Sequence, residues 1–429
     1  MRLVVFSFRQ VVRISLLFAL CISRGGARSQ STQLRMWESD PPADVPFPAS
    51  QDLAGIAFTG RSAHYGGADT WYPSWEANGN LYSPWMDGVV NEIWSCSPKD
   101  GCPGRPGPAG TQATTGHANI IGDDPLHLKI TDVGVYAASP LPYGGRYPAG
   151  SLVYNGIWFY GTYCLAVTPS LNEGWDILSP FAGFQYSTDY GKTWHASPHS
   201  CAQSLFHEPA RLNGPVKLGL PHFVDFGKNM EYSPDGKAYI VSHGATEPDP
   251  EPRDANLSWA TGDQIYLARV TPSLNTINDP SAYEYFAGHD PHSGALWTRD
   301  FAKIQPLFSW NNHAGNVSIT YDAPLRKYLM SVLDCESIIG KFNTYILESD
   351  DIAGPWRLVA YLRDFGQQGY FVNFPSKFVS KDGRTLWMSY SAIFTNGIWH
   401  TDFKPDPPGG GYWWALQEVR LLGRATPES

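Results

Sequence analysis

Two aspartates in the first part of the chain have the residue type and spacing to do chemistry together. Asp69 and Asp87 stand 18 positions apart, at the two ends of a segment that turns at Asn78-Gly. A hairpin at this turn would bring both carboxyl groups to one cleft, about 5–10 Å apart. One protonated and one ionised carboxyl group at such a separation are what hydrolysis of a glycosidic bond requires.

Aromatic residues surround the two aspartates. Trp71 and Trp85 lie between them in the sequence and could stack against sugar faces, as could Trp75. In the alternative interpretation, the aspartates cap turns and the tryptophans fill the core between sheets. For any single residue both interpretations stay open, whereas for Asp69 and Asp87 together we favour a catalytic role.

The elements that must position these residues are short β-strands. The segment Asn316–Tyr321 alternates strictly between polar and apolar residues, and three further strand-like runs follow it, at Lys327–Leu333, Asn343–Glu348 and Trp356–Tyr361. Four antiparallel strands in about 45 residues predict one blade of a β-propeller.

The same pattern recurs along the chain and predicts an all-β, five-bladed β-propeller. A seven-bladed ring fits the number of strands less well. We expect a strand at Ala54–Phe58 to pair with the last blade around Trp413–Leu421, because closing the ring removes an exposed sheet edge. Ser187–Trp194 reads S-x-D-x-G-x-T-W, which resembles the Asp-box turn of sialidase-like propellers and gives Asp189 a structural role.

Other polar residues lie where the predicted inner strands would face the central channel. Glu231 or Asp225 could supply a third acid or shift the pKa of its partner by like charge, and both could equally be turn residues. His313 could bind sugar hydroxyls or a channel ion, or could be a structural histidine. The remaining candidates for substrate binding are Arg146, Tyr147, His222, Asn229, Asn316 and Asn373.

Two other functions stay open beside hydrolysis. In a polysaccharide lyase, Arg146 would neutralise a uronate while His222 or Tyr147 removed its α-proton. A lectin-like propeller would need several equivalent aromatic pockets, whereas this chain has one dense acidic and aromatic segment. We expect no cofactor and no metal bound through sulfur, and a channel-bound Ca²⁺ is the one ion left open.

Three segments carry a resemblance to known proteins. The D-T-W…G-N-L-Y…D-G stretch, Tyr321–Met330 and Phe371–Phe378 resemble secreted propeller proteins. These in turn resemble the family of microbial endo-D-arabinanases and, more distantly, the five-bladed arabinanase/xylosidase glycosidases. The resemblance covers residues 52–422 and implies that Asp69 and Asp87 are an acid and a nucleophile or base. The third acid of the arabinanase/xylosidase group has no motif match, so retaining and inverting chemistry both stay open.

The N-terminus predicts export. Arginines precede an apolar run at Ile14–Ile22, and small residues follow it, so residues 1–29 read as a signal peptide. We expect a leader at 30–50, a single propeller domain at 51–423 and a tail at 424–429. Without residues 1–29 the net charge falls from −9 to −14, which disfavours nucleic acid and anionic membranes as partners. The expected product is a secreted monomer that binds a poly- or oligosaccharide.

Cysteines and glycosylation motifs add further expectations. Disulfides are predicted between Cys96 and Cys102 and, with less support, between Cys164 and Cys201, which leaves Cys335 as a buried thiol. The two sequons begin at Asn256 and Asn316. We expect Asn316 to line the channel and to carry no glycan.

Overall fold

The computed structural model describes most of the chain. The described residues are 34–95, 112–140, 147–166, 177–208, 216–244, 258–260, 262–335, 342–365, 369–392 and 405–424. The predictions for residues 1–29, the Cys96–Cys102 disulfide, Arg146 and Asn256 lie outside these ranges. Residues Gln33–Ser429 form one compact unit.

The described strands form five antiparallel sheets, which we call blades I to V in the order of their first strands. Blade I contains Gly67–Asp69, Ser74–Trp75, Leu81–Val90, Ile93–Ser95, Gln112–Ile121 and Lys129–Pro140. Blade II contains Tyr147–Tyr154, Ile157–Ala166, Ile177–Ser179 and Phe184–Ser187. Blade III contains His222–Phe223, Ala238–Gly244, Gln264–Val270, Glu284–Asp290, Gly294–Thr298 and Pro306–Ser309.

The last two blades complete the ring. Blade IV contains Val317–Asp322, Lys327–Cys335, Phe342–Ser349 and Arg357–Leu362. Blade V contains Tyr370–Asn373, Thr385–Ser391, Trp414–Gly423, Leu53–Tyr65 and Arg35–Met36. In blade V, Ile56 pairs with Leu421 and Phe58 with Val419, so the expected closure by the N-terminal strand is confirmed.

The first strands of neighbouring blades contact one another around a central channel. The contacts run from blade I to blade V in order: Val153 N–H to Ser74, Gly150 N–H to the Pro221 carbonyl, Asp225 N–H to the Ile319 carbonyl, Ser318 hydroxyl to the Val372 carbonyl, and Asn373 amide to the Trp71 carbonyl. Hydrogen bonds thus join the inner part of each blade to that of the next blade around the ring. The protein is a five-bladed β-propeller.

Blade I differs in one strand from the sequence-based expectation, which was a strand at Glu92–Trp94 between strands at Asn80–Pro84 and Leu128–Val133. A strand at Gln112–Ile121 lies beside Leu81–Val90, whereas the segment at Glu92–Trp94 forms only the short strand Ile93–Ser95. Gln112–Ile121 has Thr, Gly, His and Asn among its central residues and lacks apolar alternation. Its strand character comes from pairing with two neighbours, which overrides weak local propensity.

The Asp-box turn packs blade II against blade I. Asp189 accepts hydrogen bonds from the Thr193 N–H at 2.9 Å and from its hydroxyl at 2.7 Å, and these bonds lower the pKa of Asp189 to about 2. The turn directs Trp194 onto Trp158 and onto His117 of blade I, with ring centroids 5.2 and 4.3 Å apart. The structural role predicted for Asp189 agrees with these contacts.

The described residues also include short helical turns and one disulfide. No α-helix occurs in the described ranges, where the helical segments are 3₁₀ turns at Lys228–Met230, Pro280–Ala282, Phe301–Lys303 and Ser376–Phe378. In these ranges no helix has the length and apolar character needed to cross a membrane. Cys164 and Cys201 form the predicted disulfide, and Cys335 is buried.

Candidate functional site

Asp69 and Asp87 lie on two paired strands of blade I. Asp69 ends the strand Gly67–Asp69 and pairs with Met86, so Asp87 follows the partner residue directly. Asp69 is 9% exposed, and Asp87 is partly exposed. The structure therefore brings the two predicted acidic residues together where the first strand of blade I ends.

Hydroxyl groups from two blades surround Asp69. Oδ1 accepts a hydrogen bond from the Thr70 hydroxyl at 2.6 Å, and Oδ2 accepts one from the Tyr370 hydroxyl at 2.7 Å. The Tyr412 hydroxyl lies 3.2 Å from the same Oδ2 and 2.5 Å from the carbonyl oxygen of Asp87. Tyr412 therefore connects the two aspartates, and three hydroxyl groups lie within hydrogen-bonding distance of the Asp69 carboxyl group.

Left-handed backbone conformations occur at the same place. Thr70, Asp87 and Phe371 have φ angles of 62°, 47° and 57°, in the left-handed region that non-glycine residues seldom adopt. Thr70 follows Asp69 and Phe371 follows Tyr370. A β-branched residue in this region is a true outlier, and such conformations persist where the surrounding structure enforces them, often at functional sites.

Three tyrosines lie beside the two aspartates. Burial, followed by the charges of Asp69 and Asp87, raises the pKa of Tyr163 well above its usual value. The same causes raise the pKa of Tyr370 and Tyr412. These hydroxyl groups are therefore neutral donors at any physiological pH. We call Asp69, Asp87, Tyr163, Tyr370 and Tyr412 the Asp69 cluster.

Several of the predicted binding residues lie next to this cluster. Tyr147 stacks on Tyr163, with ring centroids 5.4 Å apart. Tyr72 lies near Asp69, whose charge contributes to its raised pKa after burial and Tyr163, and its ring is 4.2 Å from the ring of His222.

His222 and Asn316 continue the site across the channel. The Asn316 amide lies 3.1 Å from Nε2 of His222. Burial and the nearby His243 lower the pKa of His222 to about 3, so its ring is neutral. Because the amide N–H donates, Nε2 of His222 accepts.

Trp71 and Trp85 are not placed for substrate binding. They are 1% and 0% exposed and stack with each other and with Trp414 of blade V. This corrects the expectation that they stack on sugars. Their aromatic surface stabilises the contact between blades I and V, which was the alternative interpretation.

Glu231, Asp225 and Asn229 make contacts outside the Asp69 cluster. Asp225 accepts hydrogen bonds from the Ser376 N–H and hydroxyl. These bonds make Asp225 a partly buried link between blades III and V.

Glu231 and Asn229 belong to one turn. Glu231 is exposed and ends the 3₁₀ turn Lys228–Met230, which follows the first strand of blade III. Asn229 in that turn accepts a hydrogen bond from the Asn155 N–H at 2.8 Å, joining the turns of blades II and III. Neither residue contributes to the Asp69 cluster.

His313 and Asn373 also make structural contacts. His313 Nδ1 lies 3.0 Å from Asp334 of blade IV, and the ring stacks on Trp310. The Asn373 amide donates to the carbonyl groups of Trp71 and Phe371 and joins blades I and V. These bonds engage Nδ1 of His313 and the side-chain N–H groups of Asn373.

The residues that sequence reasoning missed are the tyrosines. Tyr370 starts the first strand of blade V, so the rule that selected Asn373 in the same strand would also have selected Tyr370. Tyr412 precedes an outer strand, Trp414–Gly423, and no sequence pattern indicated that it reaches the channel.

A buried glutamate that precedes the first strand of blade III was also missed. Glu208 is 8% exposed, and its carboxyl group accepts a hydrogen bond from the Leu218 N–H. Burial raises the pKa of Glu208 to about 7. Its charge affects Tyr266 and Tyr285 of the same blade, which separates it from the tyrosines of the Asp69 cluster.

Among the described residues, one acidic group has the spacing of a metal site: Asp52, Glu348 and Asp350. The Lys327 ammonium group lies 2.5, 3.1 and 2.6 Å from oxygens of these three residues. Lys327 therefore supplies the positive charge, and the group is an ion-pair network between blade IV and the N-terminal segment.

Comparisons with known proteins give only distant similarities. No family model and no curated protein matches the chain. Zg3597, a family 117 glycoside hydrolase of Zobellia galactanivorans, is 10% identical with a TM-score of 0.44, over 86% of this chain and 90% of its own. An α-L-arabinofuranosidase of Clostridium thermocellum is 13% identical with a TM-score of 0.41, over 76% and 82%. An α-L-arabinanase of Penicillium chrysogenum is 11% identical with a TM-score of 0.39, over 91% and 98%. Similarities at this distance support no conclusion about the activity of this chain.

Proposed function

We propose that this chain is a secreted glycoside hydrolase that uses Asp69 and Asp87 as its pair of carboxyl groups. One would donate a proton to the leaving oxygen, and the other would act as base or nucleophile. The observation that carries the proposal is the bridging position of Tyr412, whose hydroxyl lies within hydrogen-bonding distance of both residues.

Two further observations support a catalytic rather than a turn-capping role. A turn-capping aspartate accepts hydrogen bonds from nearby backbone N–H groups, as Asp189 does from Thr193. Asp69 instead receives hydroxyl groups from blade V, and the backbone is strained at Thr70 and Asp87. Strain and polar side chains that converge from separate elements are typical of sites that serve a reaction.

The surroundings of the Asp69 cluster suit a polyhydroxylated substrate. Tyr147 and the neutral His222–Asn316 pair are buried side chains that supply an aromatic ring and polar groups among the residues packed beside the aspartates. Carbohydrate sites combine apolar ring surface with a few polar groups that fix orientation. The binding part of the proposal therefore rests on these three residues, without Trp71 and Trp85.

A substrate panel tests the proposal. The secreted protein is incubated with plant and microbial polysaccharides, and both new reducing ends and the absorbance of unsaturated uronates are measured. We expect reducing ends without unsaturated products. Unsaturated uronates would identify a lyase, and binding without any product would identify a lectin-like propeller; either result overturns the proposal.

Variants then assign the activity to the aspartates. Asp69→Asn and Asp87→Asn should each lower kcat by roughly 10²–10⁴-fold with little change in Tm. Asp189→Asn is the matched control, because Asp189 lies in the Asp-box turn and should keep normal turnover. If either Asp69→Asn or Asp87→Asn keeps near-normal turnover, the pair is structural.

A further inference from the structure

Tyr370 and Tyr412 are placed to control the charge state of Asp69. Both hydroxyl groups lie within hydrogen-bonding distance of the same carboxylate oxygen, Oδ2, and the Thr70 hydroxyl donates to the other oxygen. Tyr370 is 3% exposed, so its hydroxyl is too deeply buried to exchange this bond for water. A hydroxyl that donates to a carboxylate stabilises the ionised form.

We infer that Tyr370 and Tyr412 are positioning residues that hold Asp69 in its ionised form, as the base or nucleophile of the site. They act through Asp69 and need not touch the substrate. This inference rests on the proposed function and deepens it. It states which carboxyl group is the proton donor and which is the base or nucleophile, and the sequence leaves this assignment open.

The position of Tyr412 connects this control to the second carboxyl group. Its hydroxyl has one proton, which is shared between the Asp87 carbonyl at 2.5 Å and Oδ2 of Asp69 at 3.2 Å, so Tyr412 is the weaker of the two donors to Asp69. Tyr412 therefore also holds the strained Asp87 backbone, whose φ is 47°, next to Asp69. A permanent negative charge on Asp69 favours the protonated form of a neighbouring carboxyl group by like-charge repulsion. Asp87 would then be the proton donor.

A substrate-free titration tests the inference on the full mature chain. The protein is labelled with ¹³C at aspartate carboxyl carbons, and the Asp69 signal is assigned by its loss in Asp69→Asn. In Tyr370→Phe the titration midpoint of Asp69 should move to higher pH by roughly one unit. In Tyr412→Phe it should move in the same direction by less, because this hydroxyl shares its proton with the Asp87 carbonyl, and it should move furthest in the double variant.

Tyr283→Phe is the matched control. Tyr283 is fully buried, and its hydroxyl donates to the Ile277 carbonyl at 2.6 Å in blade III. This variant loses one buried tyrosine hydrogen bond of similar kind but should leave the Asp69 titration where it is. If Tyr370→Phe fails to fold, Tyr412→Phe, whose side chain is only partly buried, carries the test.

The pH dependence of kcat/KM gives a second readout that is independent of the titration. With a substrate from the panel, the acidic limb of kcat/KM should move to higher pH in both tyrosine variants, because this limb reports protonation of the base. An unchanged Asp69 midpoint in the folded variants overturns the inference, whether or not a substrate is found. A shifted midpoint with no hydrolysed substrate overturns the hydrolase proposal and leaves the tyrosine control of Asp69 standing.

Discussion

Gly88 faces Gly67 so closely that a β-carbon on Gly88 would lie 1.9 Å from the Gly67 carbonyl oxygen. The two residues belong to the strand pair that carries Asp69 and Asp87. Because the obstructing atoms are backbone, no side-chain movement could relieve the clash. The close approach therefore fixes the pairing that brings the two aspartates together.

Gly88→Ala should disrupt this pairing and thereby the Asp69 cluster. We expect a lower Tm and a loss of turnover larger than the fall in folded protein, because the clash separates the two strands at Asp87. The measurement is a thermal unfolding scan together with kcat per folded molecule.

Gly67→Ala is the control on the opposite strand. Its β-carbon would meet the nearest atom, Cγ1 of Val89, at 3.4 Å, which is an ordinary contact. This variant should keep its Tm and turnover. Equal damage from both substitutions would show that the close approach of Gly88 is unimportant.

Trp71→Phe should reduce stability without changing substrate affinity. Trp71 is buried between blades I and V and stacks on Trp414 at 5.5 Å. Replacing it by a smaller ring leaves a cavity and should lower the free energy of unfolding by about 1–3 kcal/mol. Denaturant unfolding and KM are measured in parallel. A raised KM at unchanged stability would show that Trp71 contacts the substrate after all.

His117 should make the fold sensitive to acid. Burial lowers the pKa of His117 to about 3, with a backbone hydrogen bond at Gly134 acting in the opposite direction. The pKa in the unfolded chain is about 6.5, so the unfolded state binds the proton first as the pH falls. The contribution of neutral His117 to the free energy of unfolding is fully present above pH ~6.5 and is lost progressively as the pH falls towards ~3.

His117→Phe should remove part of this loss. Between pH 7 and pH 4.5 the wild-type chain should lose about 2.5 kcal/mol more stability than His117→Phe, as measured by denaturant unfolding at both pH values. His292→Phe serves as control, because it replaces a histidine that is exposed on the surface of blade III. Equal losses in the wild type and His117→Phe would contradict a neutral buried His117.

Asn316 should carry no glycan when the protein is made in a eukaryotic host. Its side chain is 4% exposed and contacts His222 across the channel. A glycan would have to displace this contact and block the ring of first strands. Glycopeptide mass spectrometry measures occupancy, and high occupancy at Asn316 would show that blade IV is oriented differently.

Part of this architecture could be predicted because it depends on neighbours in sequence. The alternation at Asn316–Tyr321 places a strand one residue from the observed Val317–Asp322, and the Ser187–Trp194 motif forms its turn through its own side chains. The approach of Asp69 to Asp87 follows from a local hairpin in the same way. Polar runs such as Gln112–Ile121 were missed because pairing, not propensity, makes them strands.

Most of the strand pattern, the turn chemistry, the ring closure and the approach of Asp69 to Asp87 follow from the sequence, since each depends on alternation, turn residues or edge pairing. The side chains that surround the pair follow from the packing of the blades. Tyr370 and Tyr412 lie 301 and 343 positions from Asp69, and they meet it only because blade V closes against blade I. The same closure buries Trp71 and Trp85, since an aromatic ring suits a core and a sugar site equally well until its neighbours are in place.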